Sequence, residues 1–308
     1  MIRPLPICLI FILFSFKGYP QTGNLSGTDL KLVQTIEDTI SVLSRGVMNA
    51  EIPDERLYAC HQMIPTLVRA LKIKHSFDYP FPRLESVAIS YPADSSFRIF
   101  SWQLKINDGE FKYFGAIQWN QPDLKLVALA DRSDELTDPE RTVLKPGNWY
   151  GAVYYNILPF KLADQSPAWL LFGYDSYAVN DRRKVIDVIR MEQGNPVFGA
   201  PVFKIDKNLS KSRLIYQFSA DAVIRVNYDE VEKMIICDHL TSQKGHLPGQ
   251  GMTMVPDGSY EGYKFEKGYW KYIEEVFPSG DAQNQRAFRS KPVKEPSPEG
   301  SKTKKRKN

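Results

Sequence analysis

Between residues 28 and 72 apolar positions recur every three or four residues. In TDLKLVQTIEDTISVLSRG, Val33, Ile36, Ile40 and Leu43 fall on one face of a helix. Thr28 or Asp29 is placed to cap its start and Arg45-Gly46 to end it. A second helix is predicted after Pro53, a residue suited to a first turn because an N–H there would have no intrahelical partner. Leu57, Cys60, Ile64, Leu67, Val68 and Leu71 form its apolar stripe, and Pro65 is expected to kink it.

After YPFPRLES the period falls to two. FRIFSWQLKI sets Phe100, Trp102, Leu104 and Ile106 on one face, Asn107-Asp108-Gly109 reads as a hairpin turn, and FKYFGAIQW returns as the partner strand. Further strand-like runs are LKLVALA, WYGAVYYNIL, AWLLFGY, KVIDVIRM, PVFGAPVFKI, RLIYQFS, AVIRVNY, EKMIICDHL, GYKFE and YWKYIEEV. The short spacing between them favours antiparallel hairpins over parallel units. The predicted fold is therefore mainly β (α+β). A helical N-terminal segment precedes about a dozen mostly antiparallel strands in a sandwich, barrel or propeller-like arrangement.

Charge divides the 308-residue chain. Of the formal net charge of +4, the first twenty residues carry +2 and residues 286–308 carry +7, which leaves −5 for residues 21–285. In MIRPLPICLIFILFSFKGYPQTG, Arg3 precedes an apolar run from Ile7 to Phe16 and then small or polar residues, the order of a secretory signal. The run is shorter than the roughly 20 apolar residues of a membrane span. The chain thus divides into a signal peptide (1–20), a helical segment (21–80), an antiparallel β-rich domain (81–277) and a tail (278–308) whose Ser, Pro, Lys and Arg content predicts disorder. Export permits a disulfide between Cys60 and Cys237, but both lie in apolar patterns that suit buried thiols.

AWLLFGYD, KVIDVIRM, GNPVFGAPVFK, RLIYQFSADAVIRVNYDEVEKMIICDHL and PDGSYEGYKFEKGYWKYIEEV together resemble a family of exported, uncharacterised proteins from Bacteroidetes-type bacteria, over roughly residues 95–277. The resemblance implies a periplasmic, cell-surface or secreted location in a Gram-negative cell; separately, no stretch after the signal is long and apolar enough to span, so the protein is not expected to cross the membrane once its signal is removed. The resemblance implies no activity.

Chemistry is most concentrated in MIICDHLTSQKGH. Strand alternation would put Ile235, Cys237 and His239 on one face, with Met234, Ile236 and Asp238 on the other, so Asp238 and His239 diverge. Cys237, His239 and His246 are the metal candidates, although the spacing lacks the usual zinc-ligand pairs. Asp238, His239 and His246 are the catalytic candidates. A Cys237–His246 nucleophile–base pair would place the thiol after two isoleucines, a setting that keeps it inert. Asp175, Asp187, Asp229, Glu230 and Asp257 supply carboxylates, of which Asp229-Glu230 and Asp257-Gly258 read more simply as turns. VPDGSYEG lacks the ligand spacing of a calcium loop, and GNPVFGAP has proline where a phosphate cradle needs N–H groups. No cofactor follows from any motif.

Aromatic residues could stack on glycans, but most are expected to fill β cores. Trp149, Val153 and Tyr155 would share one face of their strand, and Tyr150 and Tyr154 the other. The tail residues Lys302, Lys304, Lys305, Arg306 and Lys307 offer a polycation to an anionic surface; with a signal peptide present, nucleic acid is not the expected partner. The reading is a non-catalytic binding or envelope-associated module. The competing reading is an exported hydrolase with a His/Asp site near residues 238–246.

Overall fold

A computed structural model describes residues 25–278, so the signal and tail expectations lie outside the described residues. Two helices come first, α1 (Gly27–Asn49) and α2 (Pro53–Leu71). Fifteen strands follow: β1 (Ala88–Ser90), β2 (Phe97–Asn107), β3 (Glu110–Trp119), β4 (Leu126–Ala130), β5 (Val153–Lys161), β6 (Pro167–Asp175), β7 (Asp181–Glu192), β8 (Asn195–Phe198), β9 (Phe203–Lys204), β10 (Ser210–Lys211), β11 (Leu214–Ser219), β12 (Val226–Asp229), β13 (Met234–Lys244), β14 (Met252–Glu266) and β15 (Tyr269–Ile273). The fold is mainly β behind a helical segment, as the change of period implies.

The strands form three open sheets, in the orders β1-β2-β3-β4, β11-β7-β6-β5 with β8 also on β7, and β10-β9-β15-β14-β13-β12. Nearly all pairings are antiparallel; β15 runs parallel to β9. The order of layers follows from which face each apolar residue serves. Phe100, Trp102 and Leu104 of β2 pack under the helices, whereas Phe97 and Ile99 of the same strand pack on the second sheet. On β6, Trp169 and Leu171 face the first sheet, while Ala168, Leu170 and Phe172 face the third. The stack is therefore helices, first sheet, second sheet, third sheet. A middle sheet has no wet face, which is why AWLLFGY is an unbroken apolar run and why Lys184 and Asp187 of KVIDVIRM are buried with their apolar neighbours.

The helical layer departs from the sequence expectation at its boundaries. Ser26, not Thr28 or Asp29, caps α1: its hydroxyl accepts from the Asp29 N–H (3.1 Å). Gly46 does not end the helix. It lies inside, where a Cβ would stand 3.0 Å from that of Ala59, so the missing side chain lets α1 and α2 approach closely. The buried stripe of α2 is rotated toward Arg56, Ala59, Cys60, Met63, Leu67, Ala70 and Leu71, with Leu57 39% exposed. The helix runs on through Pro65, which faces solvent. No helix among the described residues is long and apolar enough to cross a membrane.

Aromatic residues fill the cores. Trp149, Tyr150 and Tyr154 are all buried, and Trp149 Nε1 donates to the Tyr154 hydroxyl at 2.7 Å. The alternation predicted for this segment fails because β5 begins only at Val153 and is irregular between Tyr154 and Asn156. Cys60 and Cys237 are both buried and free.

Candidate functional site

The suspected residues of MIICDHLTSQKGH are dispersed. Ile235 and Cys237 face the second sheet, and Met234 and Ile236 face away, as alternation predicts. The alternation then resets. Register passes from Asp238 opposite Tyr260 to Leu240 opposite Pro256, so His239 faces three residues of β14 across a bulge. Leu240, not His239, is the next residue to pack inward. His246 lies in the loop after Lys244. At roughly 3.3 Å per strand residue β13 carries the chain about 16 Å from His239 to Lys244, too far for the two residues that follow to bring His246 back beside it. Burial pushes the Cys237 thiol far above its ordinary range, the state of an inert core thiol. The proposed metal set Cys237, His239 and His246 is thus not assembled, and no group of three metal-competent side chains occurs among the described residues.

His239 finds a different partner from the one beside it in sequence. Its Nδ1 lies 2.7 Å from Oδ2 of Asp257, while Asp257 Oδ1 accepts from the Ser259 N–H (2.9 Å) and hydroxyl (2.7 Å). Asp257-Gly258, expected from sequence to be a turn, instead lies inside β14 at the bulge, where the extra residues let Asp257 reach the imidazole of His239. A serine nucleophile would have to bond the imidazole; here Ser259 bonds the carboxylate, on the wrong side of the histidine. Asp238 accepts from the Arg225 N–H across the strand pair.

The other carboxylates are structural. Asp229 accepts the N–H groups of Val231 and Glu232, closing the β12–β13 turn. Asp187 is wholly buried beside Arg213. Asp175 accepts the hydroxyls of Tyr113 and Tyr150 and the N–H of Tyr177. Burial outweighs those hydrogen bonds and holds its carboxyl above the ordinary range.

A cleft of about 810 Å³ opens at one end of the stack, within the size range of small-molecule sites. Four chain segments build it: the end of α1 with the start of α2, the β2–β3 hairpin, the β6–β7 connection, and the chain after β11. Gly109, at φ 79°, makes the hairpin turn and brings the tip against Val179, where a Cβ would meet Val179 Cγ2 at 2.5 Å. Arg56 locks the helical wall to the hairpin. Its Nε donates to the Lys105 carbonyl and its Nη1 to those of Ala50 and Glu51, at 2.8, 2.8 and 2.9 Å. Arg182 organises the opposite wall, with Nη1 donating to the carbonyls of Ser176 (3.3 Å), Asp181 (3.0 Å) and Ala178. Phe111, Phe218 and Val223 supply apolar lining.

Sequence reasoning missed this cleft because its segments are individually bland. One local signal exists: Arg56 is in phase with Ala59, Cys60 and Met63 on the buried face of α2, where an unexplained guanidinium needs a partner.

No protein-family model matches the chain, and neither does any curated protein or any solved structure.

Proposed function

We propose that the protein is an exported, non-catalytic binding module of the cell envelope, with the end cleft as its ligand seat. Export rests on the signal-like order of residues 1–20 and on the family resemblance. The observation that carries the binding role is the cleft itself. It is concave, mixed in polarity, and walled by elements that Arg56 and Arg182 fix to the backbone. Its described lining combines Arg56, Lys105 and Arg182 with Glu51, Asp108 and apolar groups. The basic residues 302–307 would hold the module to an anionic surface by salt-sensitive attraction.

A thermal-shift screen of small molecules against the wild type and Val223→Trp tests this reading. Val223 is exposed on the cleft wall, so tryptophan there fills the seat without disturbing a core. Ligands that stabilise the wild type but not the variant are expected. A screen with no such difference overturns the assignment.

One observation favours a second reading, an exported hydrolase: the oriented His239 imidazole on Asp257. Turnover of ester or phosphate substrates that disappears in His239→Ala would establish it in place of the first.

A further inference from the structure

We infer that the cleft binds an anionic amphiphile, a single carboxylate or phosphate head carrying an apolar chain; this rests on the cleft being the ligand seat. The head-group argument is one of uncompensated charge. Arg56 and Arg182 both line the cavity, and Arg56 is buried. Every hydrogen bond that either makes runs to a backbone carbonyl: Arg56 to Ala50, Glu51, Lys105 and Ile106, Arg182 to Ser176, Ala178, Val179 and Asp181. Carbonyl oxygens orient a guanidinium but leave its full charge standing. Neither lining carboxylate bonds to these arginines: Asp108, near enough to Arg56 to feel its charge, is paired with Lys105 at 2.6 Å, and Glu51 is exposed. Arg182 is the guanidinium left to meet an anionic head.

Donors also remain. A guanidinium has five N–H groups. All of Arg182's hydrogen bonds leave from Nη1, so its Nε–Nη2 edge is open, the edge that pairs side-on with two oxygens of a carboxylate or phosphate. The chain's own +7 terminal run has the wrong sign to occupy such a seat.

The apolar half of the ligand follows from the rest of the wall. Val47, Phe111, Phe218 and Ala222 line the cavity, and at the same end Val179 and Val223 stand 58% and 61% exposed. Val47 and Phe218 are already buried, but an alkyl chain laid over Val179 and Val223 would remove from water surface that the folded protein leaves wet.

Isothermal titration calorimetry with three probes tests the assignment: decanoate (head and chain), 1-decanol (chain alone) and acetate (head alone). Decanoate is expected to bind about tenfold or more tightly than either single-feature probe, the worth of one charge-assisted hydrogen-bonded pair. Arg182→Gln is expected to lose that factor for decanoate and leave decanol unchanged, Arg182→Lys to recover part of it, and Val223→Trp to weaken both. Equal binding of decanoate and decanol, with Arg182→Gln indifferent and Val223→Trp blocking both, overturns the anionic head while the cleft reading stands. Decanoate binding that Val223→Trp leaves intact overturns both. Absence of decanoate binding to the wild type overturns the amphiphile.

Discussion

Nδ1 of His239 lies 2.7 Å from Oδ2 of Asp257, across a bulge at which one residue of β13 faces three of β14. The pair is half-exposed, and its carboxylate is held on its other oxygen by Ser259. The arrangement makes Asp257 the anchor and His239 the group that can still reach out through Nε2.

That anchoring has a pH signature. Partial burial raises the Asp257 carboxyl, but the hydrogen bonds from Ser259 and His239 together outweigh it and hold the group below its ordinary value of 3.8. A carboxyl depressed in the folded state contributes stability that is fully present above the unfolded value and disappears as pH falls through the folded one. Asp257→Asn is therefore expected to lose less stability than the wild type between pH 4 and pH 2. Urea denaturation at stepped pH checks this, with parallel curves for the two proteins as the contrary result.

Arg98 is the most demanding residue of the first core. It is wholly buried, with Phe77, Phe81, Tyr91 and Phe100 around its guanidinium at 4.7 to 5.9 Å. It donates to Gln118 Oε1, the Tyr79 and Ser76 carbonyls and the Tyr91 hydroxyl. Desolvation lowers its pKa, yet a guanidinium stays charged in proteins. Arg98→Ala leaves several buried acceptors unpaired and is expected to cost about 3 kcal/mol or more. Arg98→Lys should recover little, because one ammonium cannot span the planar fork of acceptors. Equilibrium unfolding of the three proteins measures both costs.

How much of this was legible depends on whether the information is local. The β2–β3 hairpin could be read because Asp108-Gly109 and the flanking alternation lie within a few residues of one another. The layering could not, since alternation reveals that a strand has two apolar faces but not what covers each. Phe97 and Phe100 are three residues apart and belong to different cores. The His239–Asp257 contact needs the register of β13 on β14, bulge included, and neither residue type announces it. The cleft draws on segments more than 160 residues apart, from Val47 to Val223.

The cysteines should behave as core residues. Burial raises both thiols, Cys237 the further, and both are inaccessible. Produced without residues 1–20, and so without Cys8, the native protein is expected to resist an aromatic disulfide reagent over hours and to release two equivalents on unfolding. Rapid native labelling of either would show that its core opens under native conditions.

Asp187 and Arg213 sit between the first and second sheets with no exposed side-chain surface, and Asp187 Oδ2 is 2.8 Å from Arg213 Nε. The N–H does not point along that line, so the contact is an ion pair rather than a straight hydrogen bond, and Arg213 Nη2 also lacks a partner. An imperfectly satisfied pair in an apolar layer carries a large desolvation penalty that its attraction only partly offsets. Removing one partner leaves the other charge buried alone, and Asp187→Leu is expected to cost about 3–5 kcal/mol. Arg213→Met should cost a similar amount. Replacing both removes the stranded charge, so the double variant should be more stable than either single one and close to the wild type. A double-mutant cycle by denaturant unfolding measures the coupling. Additive costs would mean that the two charges do not depend on one another and that the seam is held by its surrounding tyrosines instead.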